Sequence, residues 1–231
     1  MTIERRSFAD KPTLARELAE AVADRIRAAI STHGVAAIAV SGGSTPGRFF
    51  QALGKTKDID WSKVLVTLVD ERWVDETSDR SNAQLVNERM LQGPAAIARF
   101  FPLYSGGSEP DAAQVAKTNA LLAELPERFA AVILGMGNDG HTASFFPGGD
   151  TLAEALSAEG PTLAIRAPGA GEPRITFTLP RLLRTDRLYL HIEGEEKAAV
   201  LDTALGEGPI EDMPIRAVLR SGHAVNVYWC P

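Results

Sequence analysis

Apolar residues recur at every fourth position in the first part of the chain, a spacing that places them on one face of a helix. They are Leu14, Leu18, Val22, Ile26 and Ile30. Asp10 can cap the start of this helix, Pro12 suits its first turn, and the pair His33-Gly34 can end it. The pattern predicts a long first helix whose apolar face packs in the core.

Short apolar runs between polar turns predict buried strands further along the chain. These runs span residues 35–40, 64–69, 129–134, 175–179, 188–192 and 224–229. Helical patterns lie between them, at residues 47–53, 81–91, 111–125 and 195–205. Strands that alternate with helices predict an α/β fold, doubly wound, with a mostly parallel sheet and helices on both faces. The shorter elements of the last third leave room for some antiparallel edge strands.

Composition narrows the class of protein. The chain has 231 residues, of which 45% are hydrophobic and 23% charged, as in globular proteins. No step in composition and no repeat divides it, so we expect residues 1–231 to form a single domain. The formal net charge of −6 argues against nucleic-acid or membrane-surface binding, which usually needs an extended basic face. An anionic substrate would therefore need a locally basic pocket.

The cysteine content and the apolar segments bear on the compartment. Cys230 is the single cysteine, so neither an intrachain disulfide nor a cysteine-rich metal site can form. The first residues lack the apolar core of a signal peptide, and no segment is long and apolar enough to span a bilayer. These features predict a cytoplasmic protein.

The segment from Val132 to Phe146 carries the strongest chemical signal. An apolar strand runs directly into Gly135, Gly137 and Gly140, which deliver Asp139 and His141. Polar groups at the carboxyl end of such a strand lie where open α/β sheets bind their ligands. His141 has a near-neutral intrinsic pKa and suits a general base or acid. The alternative is a tight turn with an incidental histidine.

Residues 41–47 form a second candidate loop between a strand and a helix. Its amides and hydroxyls can converge on an anion such as phosphate. The loop resembles a nucleotide-binding loop, but Arg48 replaces the lysine and Phe49 the metal-binding hydroxyl residue, which argues against ATP or GTP. The alternative is a glycine turn without a ligand.

Two basic residues complete the candidates. Arg72 follows another buried strand and could bind a phosphate through two hydrogen bonds, with Asp70 and Glu71 as possible acid and base. Lys197 lies in the first turn of a predicted helix, where a cation opposes the helix dipole unless an anion binds there. Without a ligand, each would be an ordinary solvated side chain.

Several other types of site have little support. His33, His191 and His223 are best interpreted as structural or surface histidines, and no two histidines have the spacing of zinc ligands. The serine-hydrolase sequence Gly-x-Ser-x-Gly is absent. Residues 135–140 fit Gly-x-Gly-x-x-Gly, but no apolar strand precedes Glu154 or Glu159, so a dinucleotide cofactor is disfavoured.

Six segments, taken in order, resemble the 6-phosphogluconolactonase family, which belongs to a wider group that includes glucosamine-6-phosphate deaminase. They are Ser41-Gly-Gly-Ser-Thr-Pro46, Asp70-Glu-Arg-Trp-Val74, Ser81-Asn82, Gly135-Met-Gly-Asn-Asp-Gly-His-Thr-Ala-Ser144, Pro173-Arg-Ile-Thr176 and Gly194-Glu-Glu-Lys-Ala198. The resemblance spans nearly the whole chain. It implies the same doubly wound fold, with the site at the carboxyl ends of the strands.

The resemblance also implies a reaction, the hydrolysis of 6-phospho-D-glucono-1,5-lactone to 6-phospho-D-gluconate in the oxidative pentose phosphate pathway. It implies no metal and no organic cofactor, and we expect a monomer or weak homo-oligomer. By position, His141 matches the histidine that activates water and Asp139 its neighbouring acid. The loop that cradles the substrate matches Gly42, Gly43, Ser44 and Thr45, and the basic phosphate ligands match Arg72 and Lys197.

Two alternatives remain beside the lactonase. The deaminase relatives carry a glutamate five residues beyond the matching histidine, and Phe146 takes that position here, which disfavours a deaminase or isomerase. A non-catalytic sugar-phosphate sensor would keep the anion pocket, and the intact pair of Asp139 and His141 argues against it. Asp139 could fix the tautomer of His141, or it could hold a turn or a sugar hydroxyl.

Overall fold

A computed structural model describes residues 2–231 of the chain. It contains ten strands, which are β1 (Ile3–Ser7), β2 (Ala36–Val40), β3 (Val64–Leu68), β4 (Asp70–Arg72), β5 (Arg99–Phe101), β6 (Ala131–Leu134), β7 (Thr162–Ile165), β8 (Arg174–Phe177), β9 (Leu188–Glu193) and β10 (Val225–Cys230). The eight α-helices are α1 (Lys11–His33), α2 (Gly47–Gly54), α3 (Asn82–Arg89), α4 (Ala112–Leu122), α5 (Leu152–Ser157), α6 (Leu179–Leu182), α7 (Glu195–Leu205) and α8 (Ile215–Leu219). Short 3₁₀ turns occupy Trp61–Lys63 and Gly93–Ile97.

Seven strands form one parallel sheet in the order β1-β10-β9-β6-β2-β3-β5. Helices flank this sheet, and α1 packs against α2 and over β2, β6 and β10. The predicted doubly wound α/β fold is therefore confirmed. Because all seven strands are parallel, their carboxyl ends lie at the same edge, and the loops after β2, β3, β6 and β9 meet there.

Two antiparallel strands, β7 and β8, lie in the last third of the chain, as predicted. They do not flank the main sheet, however, but form a separate three-stranded sheet with β4, in the order β4-β8-β7. Its first strand, β4, comes from a segment that reads as the polar end of β3. Only a tertiary contact with β8 makes these three residues a strand, so local sequence pattern does not reveal it.

The first helix forms as its sequence predicts. The Asp10 carboxylate accepts a hydrogen bond from the amide of Thr13 at 2.8 Å and so caps the helix. Gly34 ends it at φ 78°, and its amide donates to the carbonyl of Ile30. The side chains of Leu14 and Leu18 are fully buried. Replacing either leucine by alanine would cost roughly 2–5 kcal/mol of stability.

The sequence pattern missed the strands β1, β4, β5 and β7 and the short helices α5, α6 and α8. β1 has the sequence Ile-Glu-Arg-Arg-Ser, and four of its five residues are exposed. It pairs only with β10, as an edge strand, so burial does not impose an apolar pattern on it.

Within residues 2–231, no helix has both the length and the apolar character needed to span a bilayer.

Candidate active site

A cavity of about 300 Å³ opens at the carboxyl edge of the parallel sheet. Seven of the eight predicted site residues line it: Gly42, Gly43, Ser44, Thr45, Arg72, His141 and Lys197. The eighth, Asp139, contacts the ring of His141 without being part of the cavity wall. Four segments far apart in the sequence therefore bring the predicted residues together at one place.

His141 and Asp139 form a close pair in the loop that follows β6. The carboxylate oxygen Oδ1 of Asp139 lies 2.5 Å from Nδ1 of His141 and also accepts the backbone N–H of His141 at 3.1 Å. Burial alone would raise the pKa of Asp139, but the hydrogen bonds and charge of His141 outweigh it and lower that pKa below its ordinary value. An ionised Asp139 accepts the Nδ1 proton, which leaves Nε2 with a lone pair.

Gly137 makes room for this pair. A Cβ atom at that position would lie 2.1 Å from Nδ1 of His141 and 2.5 Å from Oδ1 of Asp139, far inside van der Waals contact. The amide of Gly137 donates to the carbonyl of His141 at 2.8 Å and closes the turn. Gly137 therefore permits the close approach of the two side chains.

Phe146 packs against the other side of the histidine. Its ring centroid lies 4.2 Å from that of His141, with 31° between the planes. The guanidinium of Arg174 lies 5.3 Å from the same phenyl ring, so Phe146 contacts both groups. Phe146 is buried, and its contact restricts the orientation of the imidazole.

The loop after β2 presents free backbone donors to the cavity. Gly43 adopts φ 89°, a conformation that favours glycine. Gly42 lies against Asn82, because a Cβ there would be 1.9 Å from its Oδ1 atom. The amides of residues 42–45 donate no hydrogen bond to any group within residues 2–231. α2 begins just after this loop without a side-chain cap, so its N-terminal donors are available to an anion.

The loop after β9 repeats this arrangement at the start of α7. Gly194 precedes the helix at φ 93° and supplies no side-chain cap. Burial lowers the pKa of Lys197, while the nearby carboxylates of Glu196 and Asp139 act in the opposite direction. Asn138 donates to Glu196 at 2.6 Å and joins this helix to the loop of His141. Lys197 therefore lies close to the catalytic candidates.

Arg72 and Asp70 line the cavity from β4. Arg72 donates through Nη1 to the carbonyl of Arg80, and its buried Nε has no partner within residues 2–231. Asp70 accepts the hydroxyl of Ser144 at 2.5 Å and lies 3.7 Å from the guanidinium of Arg174. Asp70 is thus engaged with protein groups, whereas part of the Arg72 guanidinium remains available for a ligand.

Glu71 points away from the cavity, contrary to its suggested role as a reacting acid or base. Its carboxylate is fully buried and accepts the backbone amides of Arg72, Asn82 and Ala83 at 2.8 Å each. It also accepts the hydroxyl of Ser81 at 3.1 Å. Burial raises the pKa of Glu71 to about 7, against these donors. Glu71 therefore anchors the N-terminus of α3 and, through it, Asn82.

The residues that the structure adds to the predicted set at the cavity include Asn82, Arg174 and His191. Asn82 donates from Nδ2 to the carbonyl of Asp70 at 3.0 Å, and its buried Oδ1 lacks a partner within the described chain. Arg174 is 7% exposed and donates to the carbonyl of Ala170. Asn82 and Arg174 lie in segments that carried the family resemblance, and that was the only signal for them. His191 was predicted to be a structural or surface histidine, but it lies at the cavity.

The electrostatics of the cavity suit an anionic ligand. Arg72, Arg174 and Lys197 line it against the single carboxylate of Asp70, in a protein whose formal net charge is −6. The local basic pocket that an anionic substrate would need is therefore present. Among residues 2–231, no group of three or more His, Cys, Asp or Glu side chains is arranged to hold a metal ion.

The fold and the cavity define an α/β protein with a basic cavity at the carboxyl edge of its sheet. The sequence profile of the family described as glucosamine-6-phosphate isomerases/6-phosphogluconolactonase matches residues 9–229. The chain belongs to this family, as its motifs predict.

Individual relatives are similar over almost the full length of the chain. A 6-phosphogluconolactonase of Rhizobium meliloti (strain 1021) is 48% identical over 227 residues, which cover 97% of each protein. One of Mesorhizobium japonicum is 49% identical over 228 residues, covering 97% of this chain and 94% of the relative. The crystal structure of a 6-phosphogluconolactonase from Shewanella baltica OS155 superposes with a TM-score of 0.96 at 39% identity, covering 100% of this chain and 98% of the other.

Proposed function

We propose that the protein is a carboxylic ester hydrolase that converts 6-phospho-D-glucono-1,5-lactone to 6-phospho-D-gluconate. The observation that carries this proposal is the pair of His141 and Asp139, 2.5 Å apart at a basic cavity of about 300 Å³. Full-length similarity to 6-phosphogluconolactonases supports the same reaction. The reaction is the second step of the oxidative pentose phosphate pathway.

His141 acts as the general base. Its Nε2 atom takes a proton from water as the water oxygen attacks C1 of the lactone, and the tetrahedral intermediate forms. The resulting imidazolium returns the proton to the ring oxygen as the C1–O bond breaks. Asp139 keeps Nδ1 protonated and stabilises the imidazolium, so that the correct ring nitrogen faces the water. The cationic groups of the cavity stabilise the negative charge of the intermediate.

The phosphate of the substrate binds away from the reacting carbon. The amides of Gly42 and Gly43, with the loop hydroxyls of Ser44 and Thr45, form the cradle at the start of α2. Arg72 ends β4, Lys197 lies in the first turn of α7, and both supply positive charge. Binding energy from this remote group holds the lactone in position for attack.

A glucosamine-6-phosphate deaminase is the competing enzyme within the same family. At the position where the deaminases carry a glutamate, this chain has Phe146. The phenyl ring lies beside His141 and supplies no carboxylate there. No feature of the cavity favours the deaminase or a sensor without catalysis over the lactonase.

The deciding experiment follows acid release from freshly made lactone in a pH-stat, with spontaneous hydrolysis subtracted. We expect acceleration by the wild type and by His223→Ala, whose side chain is exposed and lies outside the cavity. His141→Ala should lower kcat by at least about 10²-fold, the usual contribution of a general base. Full activity in His141→Ala would exclude the mechanism. No wild-type acceleration together with tight 6-phosphogluconate binding would identify a sensor, and ammonium release from glucosamine 6-phosphate would identify a deaminase.

We also propose that the enzyme works in the cytoplasm as a monomer or weak homo-oligomer, without a cofactor, on a small-molecule substrate rather than on nucleic acid. Its single cysteine, Cys230, is buried. The large apolar side chains that are exposed, Ile97, Leu121 and Leu205, are few and lie on separate elements, which gives little support for a large permanent interface. Light scattering after size exclusion measures the oligomeric state directly.

A further inference from the structure

His191 occupies a special position in β9. It is 3% exposed, yet it lines the cavity. Its neighbour Leu190 pairs with Leu134, the last residue of β6, so His191 lies level with the start of the loop that carries His141. The ring packs edge-on against Phe49 in the first turn of α2, with 6.2 Å between the ring centroids. His191 therefore lies beside the anion-binding start of α2.

One ring nitrogen of His191 is held by a buried carboxylate. Nε2 lies 3.3 Å from Oε1 of Glu193, and Oε2 of Glu193 lies 3.3 Å from the ammonium group of Lys11. Burial would raise the pKa of Glu193, but the hydrogen bonds and charges of His191 and Lys11 outweigh it and lower that pKa. Since an ionised carboxylate only accepts hydrogen bonds, Nε2 of His191 carries a proton.

The other ring nitrogen is unused. Nδ1 of His191 makes no hydrogen bond to any group within residues 2–231. Because His191 lines the cavity, this nitrogen is available to a ligand bound there. The adjoining cavity holds the free amides of residues 42–45 and, beyond the end of β9, Lys197.

We propose that His191 is an additional phosphate-binding residue, which donates Nδ1–H to the substrate's phosphate as an imidazolium held by Glu193. This inference rests on the proposed function, because it assigns His191 to the same substrate. Binding of the phosphate dianion favours proton uptake at Nδ1, and Glu193 balances the charge on the opposite side of the ring. The unused nitrogen and the buried carboxylate both then have a role.

Other charged and titratable groups face this site. They are Asp10 just before α1, Lys11 on α1, Arg48 on α2, Lys197 on α7, and Tyr228 and Cys230 on β10, opposite His191 and Glu193. The cations among them add to the positive potential that a phosphate dianion meets at this site.

Two substitutions separate this role from simple packing. His191→Gln keeps an amide donor within reach of Glu193 but removes the Nδ1 position, whereas His191→Asn can place its amide near Nδ1. We expect His191→Gln to lose about tenfold in affinity for 6-phosphogluconate and to raise KM similarly, with kcat within about twofold, the effect of one charge-assisted hydrogen bond. His191→Asn should recover part of the affinity. Gluconate, which lacks the phosphate, should bind both variants and the wild type equally.

A second measurement uses the wild-type protein, so it does not depend on whether a variant folds. In wild-type protein with labelled histidine, inorganic phosphate should shift the His191 ring nitrogens toward the imidazolium form at neutral pH, and His223 should not respond. Wild-type affinity in His191→Gln, an equal loss for gluconate, or no response of His191 to phosphate would each overturn the inference. If the wild type fails to hydrolyse the lactone while His191 still responds to phosphate, the proposed reaction fails and phosphate binding stands.

Discussion

Oδ1 of Asp139 lies 2.5 Å from Nδ1 of His141 and also accepts the histidine's backbone N–H, although the two residues are only two positions apart. Such a short connection holds the carboxylate and the imidazole in one turn of the chain. It does not depend on the packing of distant elements. The consequence is a fixed tautomer, with Nε2 as the only ring nitrogen that can accept a proton from water.

Asp139→Ala should therefore lower kcat by about 10²-fold and leave KM almost unchanged, because the variant loses the group that orients and charges the base. Asp139→Asn should lose less, since its amide oxygen can still accept the Nδ1 proton but carries no charge. Steady-state rates of lactone hydrolysis measure both. Equal kcat values for the wild type and Asp139→Ala would show that Asp139 only holds the turn.

Gly137→Ala tests the close approach of the pair without changing either member. The added methyl group would lie 2.1 Å from Nδ1 of His141, so the ring has to move away from Asp139. We expect kcat to fall at least about tenfold, since misplacement by about an ångström is costly in catalysis. Gly160→Ala is the matched control, because nothing lies within 4 Å of its added methyl group. Unimpaired kcat in Gly137→Ala would contradict the proposed geometry.

The elements with a clear apolar pattern were predictable. Helix α7 has the predicted bounds, Glu195–Leu205, and the long α1 has its predicted caps. The edge strand β1 was not predictable, because pairing on one side leaves most of its side chains in water. The strand β4 depends on its pairing with β8, a partner about a hundred residues away.

The residues of the candidate site also include some that the sequence pattern predicts and some that it does not. Gly43 and His141 could be predicted as site residues, because glycines and a histidine follow directly after apolar strands. His191 occurs in a strand of alternating pattern, which predicts burial but not the cavity beside it. For Glu71, by contrast, the sequence suggested a role in catalysis that the structure does not support. A carboxylate next to other polar residues suggested chemistry, but only the fold reveals that it binds the amides at the start of α3.

The pH dependence of ligand binding should report Lys197. Its pKa lies below the ordinary lysine value because of burial, so it loses its charge at a lower pH than an exposed lysine. Since the charged form binds the phosphate, affinity for 6-phosphogluconate should fall as pH rises through that lowered pKa. Lys197→Met should bind about tenfold more weakly at neutral pH and lose this part of the pH dependence, whereas Lys197→Arg should keep its charge to higher pH.

Titration calorimetry between neutral and alkaline pH measures these affinities. Lys57→Met is a suitable control, because Lys57 is exposed and lies outside the cavity. If Lys197→Met keeps the wild-type affinity and pH profile, Lys197 is not a phosphate ligand.

Glu71→Gln should destabilise the fold. The glutamine oxygen can replace only one carboxylate oxygen, and its NH₂ group would face a backbone amide that also donates. One buried donor then lacks an acceptor, which costs roughly 1–3 kcal/mol. Urea unfolding should show this loss of free energy of unfolding, while Glu76→Gln, at an exposed position, should change it little. Equal stabilities of the two variants would contradict the anchoring role of Glu71.

Phe146 should act on catalysis through its contact with His141. Phe146→Leu keeps most of the buried volume but removes the flat surface that lies 4.2 Å from the imidazole and 5.3 Å from the guanidinium of Arg174. The substitution should cost about 1 kcal/mol in stability, as for other conservative core changes. We expect kcat to fall several-fold because the histidine samples more orientations, and KM to change little because the phosphate cradle lies on other loops. A rise in KM at unchanged kcat would instead mean that Phe146 contacts the substrate directly.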